Sequence, residues 1–269
     1  MRKKGLNSIV KVSVCVLIAM VLLVSASCKQ SEEEARPEGP EQKTAEEPEK
    51  SVSEPTVKKV EQPVSEVSNT PKWVPIPIEL PKPMFVGTPQ DTKVVNLEKP
   101  LGKPRPPFYA PAGTKNAAFE KPVTSTDELP IIGEIEMITD GDKEAADGSY
   151  VELGPFQQQV TIDLEAEYNI YAVLVWHYHK AARVYFDVVV QVANDPDFVT
   201  DVTTLFNNDI DNSAGLGVGK DKHYTETAEG RLIAGKGVVA RYVRLYSNGN
   251  SSNDLNHYIE VEVFGKPAG

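Results

Sequence analysis

The chain has 269 residues, a formal net charge of -11 and only two cysteines, with 25% charged and 7% aromatic residues. Such an acidic balance excludes the broad electrostatic attraction that nucleic acid or an anionic lipid surface demands. One thiol, Cys15, falls in a segment expected to be removed, which leaves Cys28 without a partner and excludes a disulfide framework.

Residues 1–27 read as a secretory leader. Met1-Arg2-Lys3-Lys4 is basic, and Val12 to Val24 is apolar apart from Ser13. That stretch is short for a membrane span, which needs about 20 residues. It ends in Val24-Ser25-Ala26-Ser27-Cys28, which resembles the bacterial lipobox. The resemblance implies a diacylglycerol on the Cys28 thiol and cleavage just before it. The alternative is an ordinary leader cut near Ala26 or Ser27. Loss of Arg2, Lys3, Lys4 and Lys11 would leave the mature chain more acidic still.

Residues 28–72 form a polar tether. Glu32-Glu33-Glu34 and Glu46-Glu47 are interleaved with Pro, Ser, Lys and Gln, and no aromatic appears before Trp73. The segment has too little apolar surface to offset its ordering entropy, so disorder is expected. As a flexible coil it would reach about 30 to 40 Å. Residues 73–113 differ. Trp73-Val74-Pro75-Ile76-Pro77-Ile78-Glu79-Leu80-Pro81 alternates proline with large apolar residues, which predicts an extended polyproline-like arm. The apolar content points to an arm lying on the folded domain. A stiff spacer and a docking peptide are the alternatives.

Residues 114–269 are patterned as strands. Gln159 to Leu164 alternates, Ile170 to Trp176 is nearly continuous apolar chain, and Phe186 to Val192 sets apolar residues against Asp187 and Gln191. Further runs cover Val238–Tyr246 and His257–Phe264. Turn clusters such as Asn194-Asp195-Pro196-Asp197 and Asn248-Gly249-Asn250 divide them, and no amphipathic helix intervenes. An all-β sandwich or barrel with one core is predicted.

These strands resemble discoidin (coagulation-factor C-type) domains. The resemblance rests on Glu120-Lys121-Pro122-Val123-Thr124-Ser125, Thr139-Asp140-Gly141-Asp142, the pair Val160–Leu164 and Ile170–Val173, and the closing runs Ala240–Leu245 and Ile259–Gly265. It covers about residues 114 to 265 and implies a galactose-binding-like jelly-roll β-sandwich. Gln159 stands where the glycan-binding branch usually has Trp. The resemblance also implies a structural calcium where the first loop meets a glutamate of the last strand. Here that means Asp140, Asp142 and Glu260. Calcium takes six to eight oxygens, roughly, and mixes carboxylates with carbonyls. The alternative is that Asp140 and Asp142 only cap a turn. Asp209 and Asp211 lie in a segment read as a surface loop, with a second ion as the lesser reading.

In this family, loops at one end of the sandwich make the ligand site. His177, Tyr178, His179 and Arg183 follow the long apolar run, and Asn250, Asn253 and His257 sit in a loop rich in forked donors and acceptors. Aromatic faces over C–H patches, with planar polar groups on hydroxyls, suit a sugar. His177 and His179 also invite a zinc reading, but no cysteine is at hand. No nucleophile–base arrangement or nucleophile elbow is visible, so catalysis is not expected. The expectation is a lipid-anchored, non-catalytic envelope module for carbohydrate. The competing reading is a protein-interaction or structural lipoprotein whose arm and sheet face make the contacts. Lys29, in place of the aspartate that retains enteric lipoproteins in the inner membrane, favours the outer membrane if two exist.

Overall fold

The computed structural model describes residues 72–85 and 93–269. The leader, Cys28 and the tether lie outside the described residues. The strands are β1 (Trp73–Pro75), β2 (Tyr109–Pro111), β3 (Lys115–Asn116), β4 (Val123–Ser125), β5 (Val151–Pro155), β6 (Gln158–Trp176), β7 (Val189–Ala193), β8 (Thr203–Asn207), β9 (Arg231–Ser247), β10 (Leu255–Tyr258) and β11 (Glu260–Pro267). A short 3-10 turn covers Ile135–Thr139. Among the described residues there is no α-helix, and every paired strand is antiparallel. The predicted all-β sandwich is the fold observed.

Two long strands carry it. The two runs read separately at Gln159–Leu164 and Ile170–Trp176 are one strand, β6, which pairs along its length with β9. The register of the pair shifts between Asp163 and Tyr168 and again between Ile170 and Ala172. Glu165 (φ 63°) and Lys236 (φ 55°) take left-handed backbone at these irregularities. Such bulges bend a strand pair. They let its first half carry β4, β7 and β8 while its second half carries β11 and β3. The halves pack face to face over Val160, Ile162, Val173, Val175, Val190, Val243, Val261 and Val263, all fully buried. The run read as His257–Phe264 is broken at Ile259. Its first part, β10, pairs with β5, and its second part, β11, pairs with β6.

The proline arm supplies a third layer. β1 pairs with β2, and Ile76 N–H donates to Phe108 O at 2.8 Å. Val74, Ile76 and Ile78 alternate inward. Ile76 and Ala110 are buried in a second apolar cluster with Ala172, Leu174, Trp176, Ile259 and Phe264 on the outer face of β6 and β11. Trp73 meets Tyr171 edge-on at 6.1 Å between ring centroids. Gly230 closes tightly on this layer: with φ +62°, an added Cβ would stand 2.8 Å from the Trp176 indole.

Candidate functional site

β6 ends at Trp176, and its alternation carries on for two residues. His177 turns into the sandwich and Tyr178 to the arm side. The half-buried Tyr178 ring carries the Arg183 guanidinium, with Cζ 4.6 Å from its centroid. Tyr150 meets Tyr178 edge-on at 4.8 Å. Behind them lies His257, which β10 brings opposite Glu152 of β5.

The His257 ring has a defined hydrogen-bond state. Nε2 lies 3.0 Å from Glu152 Oε2, and Nδ1 lies 3.0 Å from the Tyr185 hydroxyl. A carboxylate only accepts, so Nε2–H donates to Glu152 and Nδ1 accepts from Tyr185. Burial, then the Arg183 and His177 charges, push the His257 pKa down to about 3. The ring is neutral at ordinary pH, so its contact with Glu152 is a hydrogen bond and not an ion pair. Arg183 Nη1, 3.4 Å from Nε2, lies near it without donating a good bond. The result is a half-buried aromatic and guanidinium surface backed by a fixed neutral imidazole.

His177 and His179 do not reach that surface. Both are fully buried. His177 stacks on Tyr185 at 4.4 Å and holds Glu226 Oε1 at 2.6 Å through Nδ1. His179 Nε2–H donates to Lys143 O at 3.0 Å. With His257 on Glu152, the three imidazoles have separate partners, and no metal-spaced group among the described residues includes a histidine. The zinc reading is set aside. His177 also has no serine or cysteine as a hydrogen-bond partner among the described residues; Glu226 and Tyr224 are its contacts.

The asparagines build their own loop. Asn250 Nδ2 donates to Asn253 Oδ1 at 2.6 Å and to Leu255 O at 2.8 Å, and Asn250 Oδ1 accepts from Ser252 N–H. Leu255 N–H donates to Asn253 Oδ1 at 3.1 Å. The loop docks where Ser251 N–H donates to Val184 O, beside Arg183. Asn253 is exposed, but its carbonyl oxygen is already engaged by this turn.

Asp140 and Asp142 do cap turns, accepting from the N–H groups of Asp142 (2.8 Å) and Glu144 (2.9 Å). Glu260 comes to the same loop: Gly141 N–H donates to its Oε2 at 3.0 Å. Its Oε1 is buried with no partner. Burial raises the Glu260 pKa to about 9, against the Gly141 bond, with Glu262 and Asp140 adding to the rise. A buried carboxyl of this kind must hold a proton or a cation. Asp140, Asp142 and Glu260 are not a metal-spaced group of three among the described residues. Carboxylate oxygens gather more closely elsewhere. Asp187, Asp209 and Asp211 place one ligand atom each within 4.8 Å of one another, a group that could hold a metal ion. The surface-loop reading of this segment is corrected at Asp209, which is fully buried and accepts from Ser213 and Ala214 N–H groups.

Sequence reasoning missed Tyr150, Glu152, Tyr185 and Asp187. They join these sites only through strand register and loop return over long sequence separations, which no local pattern records. Phe156, 81% exposed at the β5–β6 turn, stands out in the sequence only as an aromatic beside Pro155.

No known family model matches the sequence, and no curated protein sequence matches it. Among solved structures, a Streptococcus pneumoniae fucose-binding module aligns at TM-score 0.42 and 17% identity, over 58% of this chain and 98% of that one. The CBM32 of AlyQ, solved with 4,5-unsaturated mannuronic acid, aligns at TM-score 0.38 and 20% identity, over 54% and 96%. A family 89 glycoside hydrolase from Clostridium perfringens aligns at TM-score 0.42 and 20% identity over 57% of this chain, which spans only 15% of that enzyme.

Proposed function

We propose that this chain is a non-catalytic carbohydrate-binding module displayed from the cell envelope. The observation that supports this most is the guanidinium of Arg183 laid over Tyr178 beside Tyr150, in front of the neutral His257–Glu152 pair. Tyr150 would offer an aromatic face to a sugar C–H patch, and the Nη2 end of Arg183, stacked on Tyr178, would donate to hydroxyls. His177 and His179 would act from behind, as supports of Tyr185 and of the loop at Lys143. A glycan array with the full chain tests this reading. Binding should appear and should be lost in Arg183→Ala and Tyr178→Ala; binding unchanged in both would sink it.

In this reading Cys28 carries a lipid, and the acidic tether lifts the sandwich from the membrane, the outer one where two exist. Many anchored copies would turn modest site affinity into avidity. Intact mass of the membrane-extracted chain checks the lipid. A structural calcium at Asp140, Asp142 and Glu260 would join the first loop to the last strand. It is supported by the unpartnered Glu260 Oε1.

The competing protein-interaction reading needs a new surface, because the arm and the sheet face cover each other. Exposed Leu129, Ile131 and Phe156 favour it. They sit on adjoining segments, where Ile131 N–H donates to Glu152 O and Gly154 N–H donates to Asp127. Co-purification of a defined envelope protein without glycan binding would select that reading.

A further inference from the structure

Beyond Pro81 the arm does not simply lie flat. Pro83, Met84 and Phe85, with residues 98–105, face the segment leading into β9 across a cleft of about 720 Å3. Clefts of roughly 300 to 1,000 Å3 are the size that takes small ligands. Tyr224, Ala228 and Leu232 line the sandwich side, and Met84 and Leu101 the arm side. The cleft is distant in role from Tyr178 and Arg183, neither of which lines it.

Its charges are arranged unevenly. Arg231 is neutralised: Nη1 donates to Glu98 at 2.7 Å, and the guanidinium lies over Tyr224 at 4.7 Å and Phe206 at 5.0 Å. Arg105 is not. Its backbone N–H donates to both oxygens of Glu229, at 3.1 and 3.3 Å, so that carboxylate is held at the main chain. Its guanidinium donates from Nη1 to Gly230 O at 3.1 Å, a neutral acceptor. Burial lowers the Arg105 pKa, the Glu229 charge opposes that shift, and the Arg231 charge adds a smaller lowering. Lys99 and Lys103 line the same cleft, exposed, and pair with no carboxylate among the described residues. Thus Lys99, Lys103, Arg105 and Arg231 face Glu98 and Glu229. This is a locally basic cleft in a chain of net charge -11.

We propose that this cleft is a second ligand site, for a small anionic ligand with an apolar face, of the size of a sugar acid or a sugar phosphate. The anion takes Arg105 and the two lysines, and its apolar face takes Met84, Leu101 and Leu232. The site exists only because the arm is docked, so the arm is part of a binding surface and not merely a spacer.

The test is calorimetric titration of the full chain in detergent with galacturonate, galactose 6-phosphate and neutral galactose. Each titration is repeated on Lys103→Glu, Arg183→Ala and Tyr178→Ala chains. At least one anion should bind. Lys103→Glu, an exposed change that spares the arm's contacts, should weaken that binding about tenfold. Arg183→Ala and Tyr178→Ala should leave it intact, which separates this site from the carbohydrate surface proposed above. The tighter of the two anions identifies carboxylate or phosphate as the group read. No binding of either anion overturns the proposal. So does anion binding that survives Lys103→Glu, or galactose binding as tightly as galacturonate in Arg183→Ala.

Discussion

Val173 and Val175 point from β6 into the sandwich, while Leu174 and Trp176, alternating with them, point the other way under the arm; all four are fully buried. The inner face is closed by the second half of the fold, through strand pairs that bend back on themselves. The outer face is closed by a polyproline-like strip with few backbone bonds to the sheet. Burial on both faces is what turns an alternating strand pattern into a continuous apolar run. The difference teaches that a face can be dry because of a partner whose own pattern is not that of a strand.

The largest effect should come from breaking the outer layer at its centre. Trp176 is fully buried, its Nε1–H donates to Ala228 O at 3.0 Å, and the Lys143 ammonium lies 5.4 Å from its ring centroid. Trp176→Ala is expected to cost about 3 to 5 kcal/mol in chemical denaturation, as much as a large core truncation. If the arm layer were decoration, the unfolding midpoint would hardly move, and the equivalence of the two faces would fail.

A smaller loss should follow from the arm's own side. Ile76 is 7% exposed and packs on the same cluster. Ile76→Ala should cost about 2 kcal/mol, the low end for a buried aliphatic truncation, because a flexible arm can settle into the gap. The unfolding curve should stay single. Two transitions, with the arm leaving first, would show that the outer layer is not cooperative with the inner one.

The third effect is polar and lies where the outer face meets the first loop. Glu260 has its folded pKa raised from 4.5 to about 9. The folded state therefore holds a proton that the unfolded state gives up across this range. Stability is fully present below the unfolded pKa and falls as pH rises toward the folded one. In chelator, going from pH 7 to pH 8 should cost the chain about 1 kcal/mol. Glu260→Gln should flatten this slope. Calcium should flatten it in the natural chain and leave the variant unchanged. A slope that persists in Glu260→Gln would move the titration to another group.

Much of the inner layer was legible in the sequence, since the alternating residues Val160, Ile162 and Leu164, and Val188, Val190 and Val192, all lie in the inner core. The continuity of β6 was not, because the bulge between Asp163 and Tyr168 looks like an ordinary turn. The docking of the arm was half legible. Val74, Ile76 and Ile78 announce an apolar edge but not the sheet that receives it. Of the candidate site residues, Tyr178 and Arg183 lie half-buried at one surface, while His177 and His179 are fully buried. Histidine is a forked polar group whether it faces a ligand or a buried glutamate, and Glu226 lies 49 residues away from His177. Glu152, which sets the tautomer of His257, lies 105 residues away.

The smallest effect separates a residue that binds from one that folds a loop. Asn253 Oδ1 already accepts from Asn250 Nδ2 at 2.6 Å and from Leu255 N–H at 3.1 Å, in an exposed turn. Asn253→Ala removes one acceptor from groups that water can reach, so the stability cost should stay near or below about 1 kcal/mol. On the proposed carbohydrate reading, its effect on glycan binding should be a modest weakening, because Asn250 still holds Leu255 O and the loop still rests on Val184. Arg183→Ala, on the same array, removes the guanidinium that lies on the Tyr178 face. If Asn253→Ala instead abolished binding while leaving the melting temperature untouched, the asparagine would be a direct contact. The binding surface would then extend from Tyr178 across the whole loop rather than stopping at Arg183.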